Sequence, residues 1–148
     1  MKILLFHQLK IGNMKTVDLD FGRFEFYPDL VIGTINEGVH FDKKLNETLR
    51  NNIVYHYGVH HPIGYISVRE NNYSVDPMIH LENKKFDNLC SVAIVENRIY
   101  GMSSIALEAK FFKPGKLKSF ITPEDALIWT NKQIENSIRN KELKYQLV

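Results

Sequence analysis

Leu89-Cys90-Ser91-Val92-Ala93-Ile94-Val95 is the stretch of this sequence that decides the fold. The run is almost wholly apolar. A strand with one face in water alternates apolar and polar residues, whereas a strand covered on both faces reads as a continuous apolar run. Residues 89–95 therefore predict a strand in the interior of a layered domain.

The segments before this strand predict an antiparallel meander. Residues 1–11 are predicted to form a strand that ends at the turn Gly12-Asn13. Apolar and polar residues alternate over 16–21 and again over 23–26, which is the period of a half-buried strand. A more apolar run follows at 30–35. Short strands joined by tight turns favour antiparallel pairing.

After residue 35 the spacing changes to that of helices alternating with strands. Asp42 is a suitable N-cap for a helix in which apolar residues recur every four positions up to Tyr57, and Gly58 is a stop signal. Residues 63–68 predict the next strand. A short helix is predicted to begin at Asp76-Pro77, since proline is favoured at the first helical position.

The C-terminal third continues the alternation. A helix is predicted near residues 102–112, a short strand over 117–120, and a last helix that starts at Thr122-Pro123-Glu124-Asp125. The threonine is an N-cap and the two acids suit the positive end of a helix. The sequence thus predicts an α/β domain with a mixed sheet, in which an N-terminal antiparallel meander precedes parallel strand-helix units.

Several phrases of the chain resemble a known superfamily: YISVRENNYSVDP, SVAIV, EAKFF and FITPEDALIWTNKQI. Together they are similar to small bacterial SpoIIAA-like proteins, which are related to STAS domains and often carry CRAL-TRIO-like names. The resemblance covers roughly residues 15 to 136. It implies a cytoplasmic, non-catalytic module for binding or regulation. The predicted organisation is one SpoIIAA-like domain over 1–138 and a polar C-terminal tail over 139–148.

Composition excludes several classes of protein. The 148 residues include 44% hydrophobic and 24% charged side chains, as in a globular domain, and a net charge of +2 is too small to argue for a nucleic-acid partner. No run approaches the length of a membrane span. A single cysteine forms no internal disulfide, which indicates a reducing, cytosolic setting.

The predicted topology gathers polar residues at one edge of the sheet. The carboxyl ends of parallel strands 30–35, 63–68 and 89–95 open at a common edge, where ligands of open α/β sheets usually bind. Turn formation, capping by Asp76 and pairing of Arg69 with Glu70 or Glu96 are the structural alternatives. The candidate binding residues at this edge are His40, Arg69, Asn72, Tyr73, Ser74, Asp76 and Arg98.

Ser74 is also a candidate phosphorylation site. In the STAS-type antagonists that the chain resembles, a serine at the junction between such a strand and a helix is phosphorylated by a partner kinase. Here the junction is Ser74-Val75-Asp76-Pro77, which lacks the family's acidic-x-Ser pattern. Asp76 would also repel a phosphate on Ser74.

No catalytic or metal-binding pattern is recognisable. His56, His60 and His61 flank a helix-breaking glycine, so the histidines are interpreted as loop residues. His80 and Cys90 are conceivable as a base and a nucleophile, but Cys90 lies early in an apolar strand, where a buried cysteine is usually inert packing. We expect no enzyme activity, no cofactor and no bound metal.

The functional prediction is a binding or regulatory module that acts through protein–protein contacts at residues 69–77, in the manner of STAS-like signalling. A small-molecule or lipid-binding protein and a phospho-switch at Ser74 are the alternatives. The partner is expected to be a protein of unknown identity. The sequence leaves open whether the protein forms a homodimer.

Overall fold

The computed structural model describes residues 13–96 and 102–146. The strand predicted over residues 1–11 and the candidate site residue Arg98 lie outside the described residues. The elements are β1 Lys15–Leu19, β2 Gly22–Phe26, β3 Leu30–Ile35, β4 His40–Phe41, α1 Lys43–Tyr57, β5 Ile63–Val68, β6 Ser74–Val75, α2 Ile79–Asn83, β7 Leu89–Val95, α3 Met102–Phe111, β8 Leu117–Phe120 and α4 Pro123–Gln146.

Six strands form the main sheet, in the order β1-β2-β3-β5-β7-β8. β1, β2 and β3 pair antiparallel, and β3, β5, β7 and β8 pair parallel. The predicted α/β mixed sheet, with a meander followed by parallel strand-helix units, is confirmed. All seven residues of β7 are buried, as the continuous apolar run predicted.

The core has one layer on each face of the sheet. One layer joins β-strand side chains to α1 and α3 through residues such as Leu49, Ile53 and Ile105. The other joins the sheet to α4 through Ala126 and Leu127. Side chains of a strand alternate between faces, so residues 65, 67 and 69 lie toward α1 and α3, and residues 66 and 68 lie toward α4.

The predicted helix signals of α1 are confirmed. The Asp42 carboxylate accepts a hydrogen bond from the backbone N–H of Leu45 at 3.0 Å, so it satisfies one of the free donors of the first turn. Gly58 has φ of 79°, a conformation that residues with a Cβ rarely adopt, and it ends the helix.

The start predicted for α2 is wrong by two residues. The helix begins at Ile79, and the Asp76 carboxylate accepts a hydrogen bond from the Met78 N–H at 3.0 Å. This bond closes a local Asx turn that precedes the helix, and Asp and Asn favour such turns for the same reason that they favour caps.

The last helix begins where it was predicted. The Thr122 hydroxyl accepts a hydrogen bond from the Asp125 N–H at 3.3 Å. Trp129 is partly buried and packs on Phe120, with ring centroids 5.4 Å apart. The helix extends to Gln146, so residues 139–146 are helical and exposed. The division into a domain and a tail stays a prediction.

Among the helices of the described residues, none combines the length and apolar character that a membrane span needs.

Candidate functional site

Two loops leave the carboxyl ends of β3 and β5 and join each other. We call residues 36–41 and 69–76 the carboxyl edge. Within it, β4 and β6 form a two-stranded parallel sheet in which His40 lies beside Ser74. Backbone N–H groups of Gly38 and Asp76 donate across the joint to carbonyls of Asn72 and Phe41, at 2.8 and 2.9 Å. Hydrogen bonds between the two loops therefore fix their relative position.

Side chains add further ties between these loops and the sheet. The Glu37 carboxylate accepts a hydrogen bond from the Asn72 N–H at 2.8 Å. The Asn71 amide donates to the carbonyl of Ile35, the last residue of β3, also at 2.8 Å. The predicted turn residues thus fold the polar segment back onto the sheet. They produce an ordered surface and not a free loop.

Three of the candidate site residues are exposed on this surface: His40, Asn72 and Ser74. His40 Nδ1 lies 2.7 Å from Ser74 Oγ, so the two side chains share a hydrogen bond although 34 residues separate them in the sequence. Asp76 is half-buried and its carboxylate is occupied by the Met78 N–H. The edge brings His40, Asn72 and Ser74 together, as expected from the parallel topology.

Arg69 does not lie on the exposed surface. It is only 8% exposed, and its guanidinium donates two hydrogen bonds, at 2.8 and 2.6 Å, to the carboxylate of Glu108 on α3. The suggested partners Glu70 and Glu96 are not the ones that this bidentate pair uses. Because β5 alternates faces, Arg69 continues the inward row of Tyr65 and Ser67. This buried position does not fit its predicted role as a binding residue at the edge of the sheet.

Glu108 is the centre of a buried polar network. It has no solvent exposure, and its Oε1, which also accepts from Arg69, accepts a hydrogen bond from His80 Nε2 at 3.0 Å. His80 Nδ1 accepts from the amide of Asn83 at 3.3 Å, and the Asn83 carbonyl accepts from Asn46 at 2.8 Å. The chain of bonds links the residue that follows β5 to α3, α2 and α1, so it holds the helices of this face to the end of the strand.

The electrostatics of the pair follow from burial and contact. Burial alone would raise the pKa of Glu108, but hydrogen bonds from His80 and Arg69 and the charge of Arg69 outweigh it and lower that pKa to about 2. Burial disfavours the charged form of Arg69, yet the hydrogen bond to Glu108 raises the pKa of the arginine. Glu108 is therefore ionised and Arg69 protonated at neutral pH.

Tyr73, another of the candidate binding residues, is partly buried and lies beside the network. Its ring centroid is 6.0 Å from the Arg69 guanidinium carbon, and its hydroxyl is 3.3 Å from the Ser67 hydroxyl. Burial raises the pKa of Tyr73, although Arg69 opposes that effect. Tyr73 thus joins the exposed edge to the buried network.

A cavity of about 60 Å³ lies between the sheet and helices α1, α2 and α3. A dry cavity of about 150 Å³ holds one benzene molecule, so this one has room for a small group and not for an acyl chain. That volume does not support the lipid alternative at this site. Half of the lining side chains are apolar, and the other half are Asn46, Arg50, Tyr65, Ser67, Arg69, Tyr73, His80, Asn83 and Glu108.

Two arginines of the cavity wall, Arg69 and Arg50, have N–H groups without a partner among the described residues. Arg69 Nε is buried without a hydrogen bond. Arg50 is half-buried and makes no ion pair within residues 13–96 and 102–146. A buried donor without an acceptor costs free energy, so an acceptor in the cavity, such as a water or a carbonyl, would stabilise the site.

The sequence reasoning missed Glu108. A usable signal was present, because Ile105, Glu108, Ala109 and Phe112 follow the spacing of one helix face, and a carboxylate on an apolar face needs a buried cation. His80 is also buried, on the face of the sheet toward α3, whereas Cys90 belongs to the layer under α4. The sheet separates them, so they form no catalytic pair.

Two of the three histidines near Gly58, His56 and His61, have separate contacts, and His60 is exposed. His61 Nε2 lies 2.8 Å from the carbonyl of Pro28, and the His56 ring packs edge-on against Phe26 at 5.1 Å. In the described part of the chain, no group of three or more His, Cys, Asp or Glu residues is arranged to hold a metal ion.

Comparison with known proteins gives a similarity in backbone shape. A crystal structure of an uncharacterised DUF3478 family protein from Shewanella loihica PV-4, described as having a SpoIIAA-like fold, is 15% identical to this chain with a TM-score of 0.47. The alignment covers 80% of this chain and 92% of that one. No protein-family model and no curated protein matches the chain. The similarity carries no information about ligands or partners.

Proposed function

We propose that the chain is a non-catalytic regulatory module that binds a protein partner through the exposed side of the carboxyl edge. The observation that carries this proposal is the joining of two loops into one ordered surface by β4–β6 pairing. A surface that is ordered before binding loses little conformational entropy when a partner docks. His40, Asn72 and Ser74 supply its polar contacts, and the adjacent Met78 is 37% exposed.

The buried network supports the same proposal, because it holds the loops of the carboxyl edge in position. Arg69 starts the second loop of the edge, and its bidentate bond to Glu108 fixes that loop to α3. Tyr73 then spans from the network to the surface. Arg69 and Tyr73 thus act by positioning the contact surface, whereas His40, Asn72 and Ser74 meet the partner.

The test compares two matched double variants. His40→Ala with Asn72→Ala removes two exposed groups of the edge, and His60→Ala with Asn51→Ala removes the same residue types from exposed positions elsewhere. Each tagged full-length protein is used for affinity capture from the native cell with quantitative mass spectrometry. We expect a partner enriched by wild type and by the control variant, and depleted about tenfold or more for the edge variant.

Urea unfolding accompanies the capture, because a loss of binding means little if the variant has unfolded. The two double variants should unfold at closely similar urea concentrations, since all four side chains are on the surface. Equal recovery of every captured protein by the edge variant and the control variant would contradict binding at the carboxyl edge.

A phospho-switch at Ser74 is a second candidate, and the contact between Ser74 and His40 favours it. Ser74 is exposed, and a phosphate on its hydroxyl would lie beside the His40 imidazole, which can pair with an anion when protonated. Intact-mass measurement of the protein purified from its native cell should show one added phosphate that Ser74→Ala removes. Identical masses for the wild type and Ser74→Ala, apart from the substituted atom, would leave Ser74 as a contact residue only.

A further inference from the structure

A second concave surface lies at the opposite end of the sheet, by the amino ends of β7 and β8. It has a volume of about 300 Å³ and is bounded by the segment after α3 and by the C-terminal half of α4. We call it the lysine groove. Its lining consists of Asp87, Leu89, Cys90, Lys113, Lys116, Gln133, Asn136, Ser137, Asn140, Lys141 and Lys144.

The charges of the groove are unbalanced. Four lysines line it and Asp87 is the single acidic residue of the lining. Across the described residues, no ion pair joins any of these lysines to a carboxylate. The whole chain has a net charge of only +2, so this concentration of positive charge is local and is not a consequence of a basic composition. Like charges in a concave surface strengthen the local potential and attract anions.

Three of the ammonium groups make hydrogen bonds to the protein. Lys141 Nζ donates to the backbone carbonyl of His60 at 3.4 Å. Lys113 Nζ donates to the backbone carbonyls of Phe86 and Leu89 at 3.0 and 2.8 Å. Lys116 Nζ donates to the Gln133 side chain at 2.7 Å. An ammonium group has three N–H donors, so Lys113 keeps one and Lys116 keeps two for a ligand.

The surroundings of Lys113 disfavour its positive charge, and a bound anion would counter that effect. Burial lowers the pKa of Lys113, and the nearby charge of Lys141 acts in the same direction, against the effects of Cys90 and Asp87. A bound anion would offset both the burial and the repulsion.

We propose that the lysine groove binds a small phosphate-rich anion of the pyrophosphate or triphosphate class. A volume of about 300 Å³ is at the lower end of small-molecule sites and suits a compact ligand. Amide and hydroxyl groups of Asn136, Ser137 and Asn140 provide further donors. No aromatic ring lines the groove within the described residues, so the groove recognises phosphate groups and offers a nucleobase no stacking surface.

Isothermal titration of the full chain with three probes tests the ligand class. The probes are sodium triphosphate, ATP and sodium sulfate, each at the same ionic strength. We expect triphosphate and ATP to bind with similar affinity and sulfate to bind far more weakly, because sulfate engages fewer lysines at once. Equal weak binding of all three would overturn the proposal, and a strong preference for ATP would overturn recognition through phosphate alone.

Matched charge variants test the location. Lys141→Gln with Lys144→Gln removes two groove charges, and Lys43→Gln with Lys44→Gln removes two exposed charges from the start of α1. The groove variant should bind triphosphate about tenfold or more weakly, and the control should bind like wild type. Lys113 is avoided, because two backbone carbonyls depend on it. Equal weakening in both variants would mean that only net charge matters, and would overturn the assigned site.

Discussion

Removal of the charge on Glu108 should destabilise the protein strongly. Glu108→Gln keeps the shape of the side chain but removes the ion-pair partner of the buried Arg69 guanidinium, on which only the charge of Glu96 then acts. Loss of one partner from a buried ion pair typically costs about 3–5 kcal/mol. The lowering of the Glu108 pKa from 4.5 to about 2 indicates a similar size, about 3 kcal/mol, at about 1.4 kcal/mol per unit. We therefore expect the free energy of unfolding at pH 7 to fall by about 3 kcal/mol.

The pH dependence gives an independent measurement of the same interaction. The folded-state pKa of Glu108 is depressed, so its contribution is fully present above the unfolded-state value of 4.5 and is lost as the pH falls from there toward about 2. Urea unfolding of wild type and Glu108→Gln across this window should give two curves that converge at low pH. The stability difference should shrink by about 3 kcal/mol.

A double variant separates the pair from the packing around it. Arg69→Met with Glu108→Leu removes both charges and fills a similar volume, so it should cost clearly less than the sum of the two single variants. A cost below about 1 kcal/mol for Glu108→Gln at pH 7, or a difference that does not change with pH, would show that the ion pair does not hold α3 to the sheet.

Two further variants test the last helix. Trp129→Ala should lower the free energy of unfolding by about 2–3 kcal/mol. This is below the usual cost for a fully buried aromatic, because Trp129 is only partly buried against Phe120. Trp129→Phe is the control, and a cost of Trp129→Ala below about 1 kcal/mol in urea unfolding would place the ring in solvent. Thr122→Ala should cost about 1 kcal/mol, or about 4 °C in Tm, through loss of the hydrogen bond from Asp125 N–H. Thr122→Ser should retain that bond, and an unchanged Tm in Thr122→Ala would contradict the cap.

Much of the backbone was predictable because local chemistry specifies it. The Asp42 cap and the Gly58 stop of α1 are formed by residues within one turn of the helix, so the sequence states them directly. The strand over 89–95 was evident from its apolar run, and the parallel order placed the loops after β3 and β5 at one edge. The meeting of His40 with Ser74 at that edge followed from the topology.

The candidate site was predicted less well, because exposure is decided by contacts between distant segments. Arg69 follows directly on the strand and begins a polar loop, so the sequence alone made it a surface residue. Its direction depends on the alternation of β5, and its partner lies 39 residues away on α3. The start of α2 was misplaced for a related reason, since an aspartate can close an Asx turn as well as cap a helix.

The sequence by itself determined the alternation of strands and helices, the N-caps of α1 and α4, and which segments are buried on both faces. These features depend on periodicity and on hydrogen bonds that span a few residues. The tertiary structure alone decided that Arg69, Glu108 and His80 form one buried network, and that four lysines from two segments face one groove. The physical reason is that a charged side chain enters the interior only where a partner from another element compensates its desolvation, and local sequence does not specify that partner.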